Sequence, residues 1–211
     1  MCHRLHGRFM NTQAHLLTRF LLAPQASYDA SHTNRIQQSL NLRDPLKQAA
    51  VLIPLVPRQN HYHVVFTRRA QHLKHHPGQV SFPGGKYESH DRDLIATALR
   101  ETHEETGIVC SRENIIGQLP ALPTVSGYLV TPFLSIISPD YTPTLDANEV
   151  DELFEVPLDY LLNPVNMRAQ EVTIRGKKHH IYSVPFHQYS IWGATAQMIK
   201  VLSKQLWHEP K

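Results

Sequence analysis

Three glutamates, Glu101, Glu104 and Glu105, crowd into the segment RETHEETGI, residues 100–108. In a helix they project from nearly one side, because Glu101 and Glu105 are an i,i+4 pair and Glu101 and Glu104 an i,i+3 pair. Like charges at those spacings cost an isolated helix about 0.2–0.5 kcal/mol per pair. At 100° per residue, Leu94, Ile95, Ala98, Leu99 and Thr102 fill an arc that can pack on a sheet, and the glutamates fill the arc beside it. Carboxylates partly withdrawn from water repel more strongly than exposed ones, and a divalent cation reverses that penalty. A ligand set of oxygens alone favours Mg²⁺ or Mn²⁺ over zinc. The competing reading is a solvated charged face, the usual meaning of such a triplet.

The helix that must carry these acids is predicted over residues 91–107, with Asp91 as its N-cap and Gly107 as its stop. It follows FPGGKYESHD, where Gly84 and Gly85 allow a tight turn and close backbone approach to a ligand. Glycine turn, helix and carboxylates together suggest phosphoryl chemistry. A P-loop is excluded, because the GxxxxGK[ST] spacing is absent and Tyr87 follows Lys86.

The remaining elements frame this segment. Helices are expected over 11–24, capped by Asn11 or Thr12 and stopped by Pro24, over 30–42, and over 191–207. Residues 49–56 and 61–69 read as a hairpin, and 79–85 as a short strand ending in a Pro-Gly-Gly turn. Strands are expected over 113–120 and 128–138, a short helix or turn within 150–164, and a second hairpin over 170–184. The architecture that follows is a mixed sheet with helices packed on it, an α/β (α+β) fold.

Bulk properties narrow the function. The chain has 211 residues, 41% hydrophobic and 18% charged, enough for one domain with a real core. A net charge of +3 is too small and dispersed for a nucleic-acid binder and suits an anionic small molecule. Cys2 and Cys110 form neither a disulfide framework nor a zinc pattern, and Cys110 reads as a small buried residue. The histidine pairs His75-His76 and His179-His180 lack ligand spacing. No export or membrane segment is evident, since the apolar run at 16–22 is short and broken by Arg19, so a cytoplasmic location is expected.

Residues 85–108 resemble the Nudix box, G-x5-E-x7-R-E-U-x-E-E-x-G-U with U aliphatic. Gly85, Arg100, Glu101, Glu104, Glu105, Gly107 and Ile108 match in type. Asp91 stands at the first acidic position, eight rather than seven residues precede Arg100, and Thr102 replaces an aliphatic residue. Upstream, residues 66–85 resemble the second signature of the coenzyme A pyrophosphatase branch, through Thr67, Arg69, Ala70, Gly78, Phe82, Pro83, Gly84 and Gly85. Phe66 and Lys74 stand where that signature has leucine and arginine. Residues 117–134 and 191–196 resemble the same branch.

The resemblance implies a Nudix fold, a mixed β-sheet sandwiched between helices, in one domain over 35–207 after an N-terminal extension and helix at 1–34. It implies a pyrophosphohydrolase using Mg²⁺ or Mn²⁺ and cleaving coenzyme A to 4′-phosphopantetheine and adenosine 3′,5′-bisphosphate. Glu101 and Glu105 would hold the cation, with Glu104 a further ligand through water or a second ion, and Arg100 would orient the acids. Glu149 is the expected general base, with Glu152 as alternative. Arg68, Arg69, Lys74, His75 and His76 form a basic run suited to phosphates, with the Gly84-Gly85 backbone beside them. Phe82 and Tyr128 could face substrate, though core packing is the ordinary role of each. Another nucleoside diphosphate derivative, ADP-ribose or a dinucleotide, stays open as substrate. A non-catalytic nucleotide sensor would be signalled by lost box glutamates, and none is lost here.

Overall fold

Residues Ala49 to Pro57 are almost all apolar, the pattern of a strand buried on both faces. The computed structural model, which describes residues 13–29, 45–174 and 177–206, makes that run the centre of the fold. The helices among these residues are α1 (Gln13–Leu22), α2 (Leu94–Thr106), α3 (Leu158–Leu162) and α4 (Ala194–Leu206). The strands are β1 (Lys47–Arg58), β2 (His61–Arg69), β3 (Val80–Ser81), β4 (Gly84–Lys86), β5 (Ile115–Gln118) and β6 (Leu122–Pro123). They continue with β7 (Tyr128–Ile136), β8 (Val150–Pro157), β9 (Arg168–Ile174), β10 (Lys177–Phe186) and β11 (Tyr189–Trp192). None of the described helices is long and apolar enough to cross a membrane.

The main sheet runs β3-β2-β1-β7-β5, with β1 and β7 parallel. The expected hairpin forms from β1 and β2, paired from Leu55↔Val64 to Arg58↔His61. Beyond Leu55 towards the start of β1 the two strands part, and the 80–86 segment fills the fork. There β3 pairs with β2 at Thr67 and Arg68, and β4 pairs with β1 at Ala49 to Val51. Leu52 N donates to Pro83 O at 2.9 Å between the two strands. Pro-Gly-Gly is therefore no turn, as the sequence suggested, but the seam of a split sheet. Gly84 is required at that seam. A Cβ there would lie 2.3 Å from Ala50 O, and the φ of 148° is one side chains rarely adopt.

Alternation along β1 sends its two faces to different helices. Ala50 and Leu52 meet Ala98 of α2 and Phe133 of β7. Ile53 and Leu55 enter the larger core with Leu16 and Phe20 of α1, Leu158 to Leu162 of α3, and Met198 to Leu206 of α4. Helices thus cover both faces of the sheet, and β9, β10 and β11 form a second, antiparallel sheet. Helix α1 packs into the shared core, where Gln205 Nε2 donates to Phe20 O at 3.0 Å and Arg19 donates to Leu206 O.

Several elements differ from expectation. Helix α2 starts at Leu94 and its N-cap is Asp93, whose carboxylate accepts from Ala96 N at 3.0 Å; Asp91 has another task. Gly107 closes the helix in the left-handed region as expected, φ 71°, donating to His103 O. The first half of 150–164 is strand β8, drawn into extension by pairing along β2, and only Leu158–Leu162 is helical. The 170–184 hairpin forms from β9 and β10, paired from Arg168↔Ser183 to Ile174↔Lys177; residues 175–176, at the expected turn near Gly176 and Lys177, lie outside the described residues. The helix expected at 30–42 also lies outside them, as do the caps at Asn11 and Thr12.

Candidate active site

Helix α2 lies across β1 and β4 so that its acidic arc faces the seam. Thr97, Ala98, Thr102 and Thr106 are buried beneath it, and Glu105 is only 5% exposed. The threonine hydroxyls are satisfied locally: Thr102 donates to Ala98 O at 2.6 Å and Thr106 to Thr102 O. Thr102, out of place in an aliphatic position, therefore adds no unpaired polar group.

Asp91 and Arg100 form the frame of the site. The Asp91 carboxyl accepts from Arg100 Nε at 2.9 Å and Nη2 at 3.0 Å, from Thr97 Oγ1 at 2.9 Å and from Glu88 N at 3.0 Å. Arg100 beside it, with these further donors, holds it well below the usual carboxylate range. The guanidinium also reaches Glu104 at 2.8 Å, Glu101 at 3.1 Å and the Lys86 carbonyl at 3.1 Å. It ties the 86–91 loop and two of the three glutamates to one fork, which a lysine could not span. Nothing in the sequence flagged Thr97 as a partner, because its hydroxyl reaches Asp91 only when the loop folds back over the first helical turn.

Glu105 accepts from Gly84 N at 3.2 Å. Burial pushes its carboxyl up to about 8, Gly84 N–H opposes the rise, and Glu149 and Glu101 add to it. Glu101 is raised by the same cause, burial first. Gly85 leaves space for it: a Cβ would come within 2.4–2.5 Å of the Glu101 carboxyl atoms. Gly85→Ala is accordingly expected to keep the melting temperature within about 2 °C, since a flexible carboxylate can yield, while cutting kcat/KM by about 10-fold. A variant with full activity would show that Glu101 need not stand where it does.

Glu149 arrives from the far side. The loop before β8 docks on the end of α2 through Thr144 N to Thr106 O and Asp146 N to Glu105 O. Glu149 O then accepts from Ala70 N at 2.9 Å. The result is a polar cleft of about 320 Å³ lined by Glu101, Glu104, Glu105 and Glu149 with Arg69, Arg100 and the Gly84–Lys86 strand. Glu88, which sequence reasoning missed, lines it too. Glu152, the alternative base, is engaged elsewhere, accepting from Tyr189 Oη at 2.5 Å and pairing with Arg68 at 3.1 Å.

The basic run divides. Arg69 lines the acidic cleft, and with His75 and His76 it also lines a second cleft of about 580 Å³ that meets the first at Gly84, Gly85 and Lys86. Arg68 points the other way, to Asp151 at 2.8 Å and Glu152, because neighbours along a strand face opposite sides. Lys74 is exposed and lines neither cleft. Of the residues expected at substrate, Arg69, Gly84 and Gly85 are thus brought to the clefts, and Arg68 and Lys74 are not. Phe82 is core, stacked on Phe66 at 4.9 Å, whereas Tyr128 forms part of the second cleft's wall. Cys110 is only partly buried, its Sγ 2.9 Å from Ser135 Oγ.

Among the described residues no three carboxylate, imidazole or thiol groups already stand in cation-holding geometry. The donor chemistry nonetheless fits a hard divalent ion: Glu101, Glu104 and Glu105 share one cleft with Glu149, and the charge of Glu149 adds to the rise at both Glu101 and Glu105. Mg²⁺ or Mn²⁺ at ~100 times its Kd should stabilise the fold by about 2.7 kcal/mol, or about 5–10 °C for a chain of this size. The sign with pH is set by Glu105. An acid whose folded pKa is raised contributes most to stability below its ordinary value of 4.5 and loses that contribution as pH climbs through about 8. The cation relieves that loss, so its melting shift is expected to grow from pH 6 to pH 8.5. A shift independent of pH would remove Glu105 from the cation site.

Residues 46–175 match the family of the NUDIX domain. The chain is 41% identical over 195 residues to the uncharacterized Nudix hydrolase NudL of Enterobacter sp. (strain 638), covering 92% of this chain and 94% of that one. It is 38% identical over 200 residues to the protein of the same name from Escherichia coli O139:H28 (strain E24377A / ETEC), covering 94% and 97%. Among solved structures, the MutT/nudix family protein from Enterococcus faecalis superposes with a TM-score of 0.49 at 16% identity, over 91% of this chain and 73% of that one.

Proposed function

The chain belongs to the NUDIX family of hydrolases acting on phosphoric anhydrides, and from that membership we propose that it cleaves the diphosphate of coenzyme A. Family membership carries the coarser activity, hydrolysis of a nucleoside diphosphate derivative. The coenzyme A reading adds the 66–85 signature, and one observation supports it most. That signature folds into a single unit whose arginine, Arg69, stands on the wall common to both clefts. Arg69 N donates to Gln79 O at 3.0 Å, Gly78 N to Arg69 O at 3.1 Å and Thr67 Oγ1 to Ser81 O at 3.4 Å. A substrate with a diphosphate between two large halves needs such a place, with acids on one side and room on the other.

In this reading Glu101 and Glu105 would hold Mg²⁺ or Mn²⁺, with Glu104 as a further ligand. When bound, the cation would supply Lewis-acid chemistry at the diphosphate. Arg100 keeps Glu101 and Glu104 in place by charge-assisted hydrogen bonds and itself stays out of the reaction. Arg69 pairs with a phosphate oxygen. Glu149 accepts a proton from the attacking water as its oxygen bonds to one phosphorus and the bridging oxygen leaves on the other. The products are 4′-phosphopantetheine and adenosine 3′,5′-bisphosphate.

The test compares coenzyme A, ADP-ribose and NADH side by side with purified protein and excess Mg²⁺ or Mn²⁺, identifying products. Coenzyme A is expected to give the highest kcat/KM and the two products named. Preference for ADP-ribose or NADH by tenfold or more would replace coenzyme A with that substrate and leave family membership intact.

A further inference from the structure

The second cleft has a composition that the acidic one lacks. Its floor is the odd-numbered face of β1 at Ala49 and Val51, before the same face passes under α1 and α4, together with Val130 of β7, which stands in register with Ala49. Tyr128 stands in its wall. Thr124 holds that residue by the backbone, accepting from Tyr128 N at 3.2 Å and donating from its own N to Tyr128 O at 2.8 Å. The opposite rim is the exposed His75-His76 turn, fixed by Gln79 N donating to His76 O at 3.2 Å, with His76 in the left-handed region at φ 56°.

The geometry points to this cleft as the nucleoside half-site: the base lies on Tyr128 against the valine floor, and the His75-His76 turn binds the phosphate on the ribose. The assignment rests on the coenzyme A reading above and decides which half of that molecule enters. The two halves differ in chemistry. Adenosine 3′-phosphate is a flat aromatic surface with a dianion, which matches an aromatic ring, an aliphatic floor and imidazole donors. The pantetheine arm is an uncharged, flexible diamide, for which histidines on the rim do nothing. With the diphosphate over Arg69 and the Gly84-Gly85 strand, the base enters the cleft and the arm leaves along the other side.

The test measures binding of the cleavage products to the full chain by calorimetry with excess Mg²⁺, so that affinity is read apart from turnover. Adenosine 3′,5′-bisphosphate, AMP and 4′-phosphopantetheine are titrated separately. Tyr128→Ala is expected to weaken the bisphosphate roughly 10-fold, as loss of base stacking does, while Tyr128→Phe retains it and shows that the wall still folds. Wild type is expected to bind the bisphosphate roughly 10-fold tighter than AMP, and His75→Ala/His76→Asn to erase that difference, asparagine being tolerated in the left-handed region. If Tyr128→Ala weakens 4′-phosphopantetheine and spares the bisphosphate, the halves are reversed: the inference is overturned while the coenzyme A reading stands. If wild type binds AMP as tightly as the bisphosphate and the histidine variant changes neither, the phosphate assignment is overturned. Failure of coenzyme A as a substrate in the turnover assay marks failure of the underlying reading instead.

Discussion

Replacing Glu105 or Glu101 by glutamine is expected to lower turnover by ~10²-fold or more while the protein stays folded, the scale of losing several kcal/mol of charge stabilisation at a catalytic cation. Glu105 is the more telling position, because the substitution also removes an unfavourable buried charge. The residue is 5% exposed, its carboxyl accepts from Gly84 N, and burial has raised its pKa to about 8. Glutamine keeps the acceptor for Gly84 N–H and discards the charge. Without cation, Glu105→Gln should therefore melt at or above wild type at pH 8, and with cation it should gain less. Glu149→Gln separates the roles: it should reduce kcat with little change in the cation-induced melting shift. Near wild-type rates for Glu105→Gln with Mg²⁺ or Mn²⁺ saturating would refute the assignment of the acidic cleft.

Arg100→Ala is expected to be the most destabilising single change at the site. It leaves the Asp91 carboxylate, whose side chain is 2% exposed, without the guanidinium that balances its charge. Breaking a buried pair from one side costs about 3–5 kcal/mol, which corresponds to a fall in melting temperature of about 6–20 °C at this chain length. Arg100→Lys should recover only part of it, because an ammonium cannot serve Asp91, Glu104 and the Lys86 carbonyl together. The pH dependence has a definite sign. Asp91 has a depressed pKa, so its contribution is present above the ordinary aspartate value of 3.8 and is lost as pH falls towards its folded value. The gap between wild type and Arg100→Ala should narrow accordingly as pH drops through that range. A loss smaller than about 2 °C at pH 7 would mean that Asp91 finds another partner.

Much of the site was legible in the sequence, because helical spacing is a local property. The i,i+3 and i,i+4 relations of Glu101, Glu104 and Glu105 hold wherever the helix lies, and Gly107 ends it because a left-handed residue is needed there. The β-rich run at 49–56 likewise announced a strand, which the structure extends to Lys47–Arg58. Only the tertiary structure decided what those residues meet. Glu105 is buried and Glu104 exposed because α2 crosses the β4 seam at one angle rather than another, and the helical wheel does not contain that angle. Gly84 and Gly85 became part of strand β4 because β1 and β2 part and leave backbone groups that need partners, a demand invisible in a local window. Arg68 and Arg69 were both candidates in sequence, with Arg69 favoured by the signature it matches. Strand alternation sent one to Asp151 and the other to the junction of two clefts, and which face the strand presents to the site is set by the sheet as a whole.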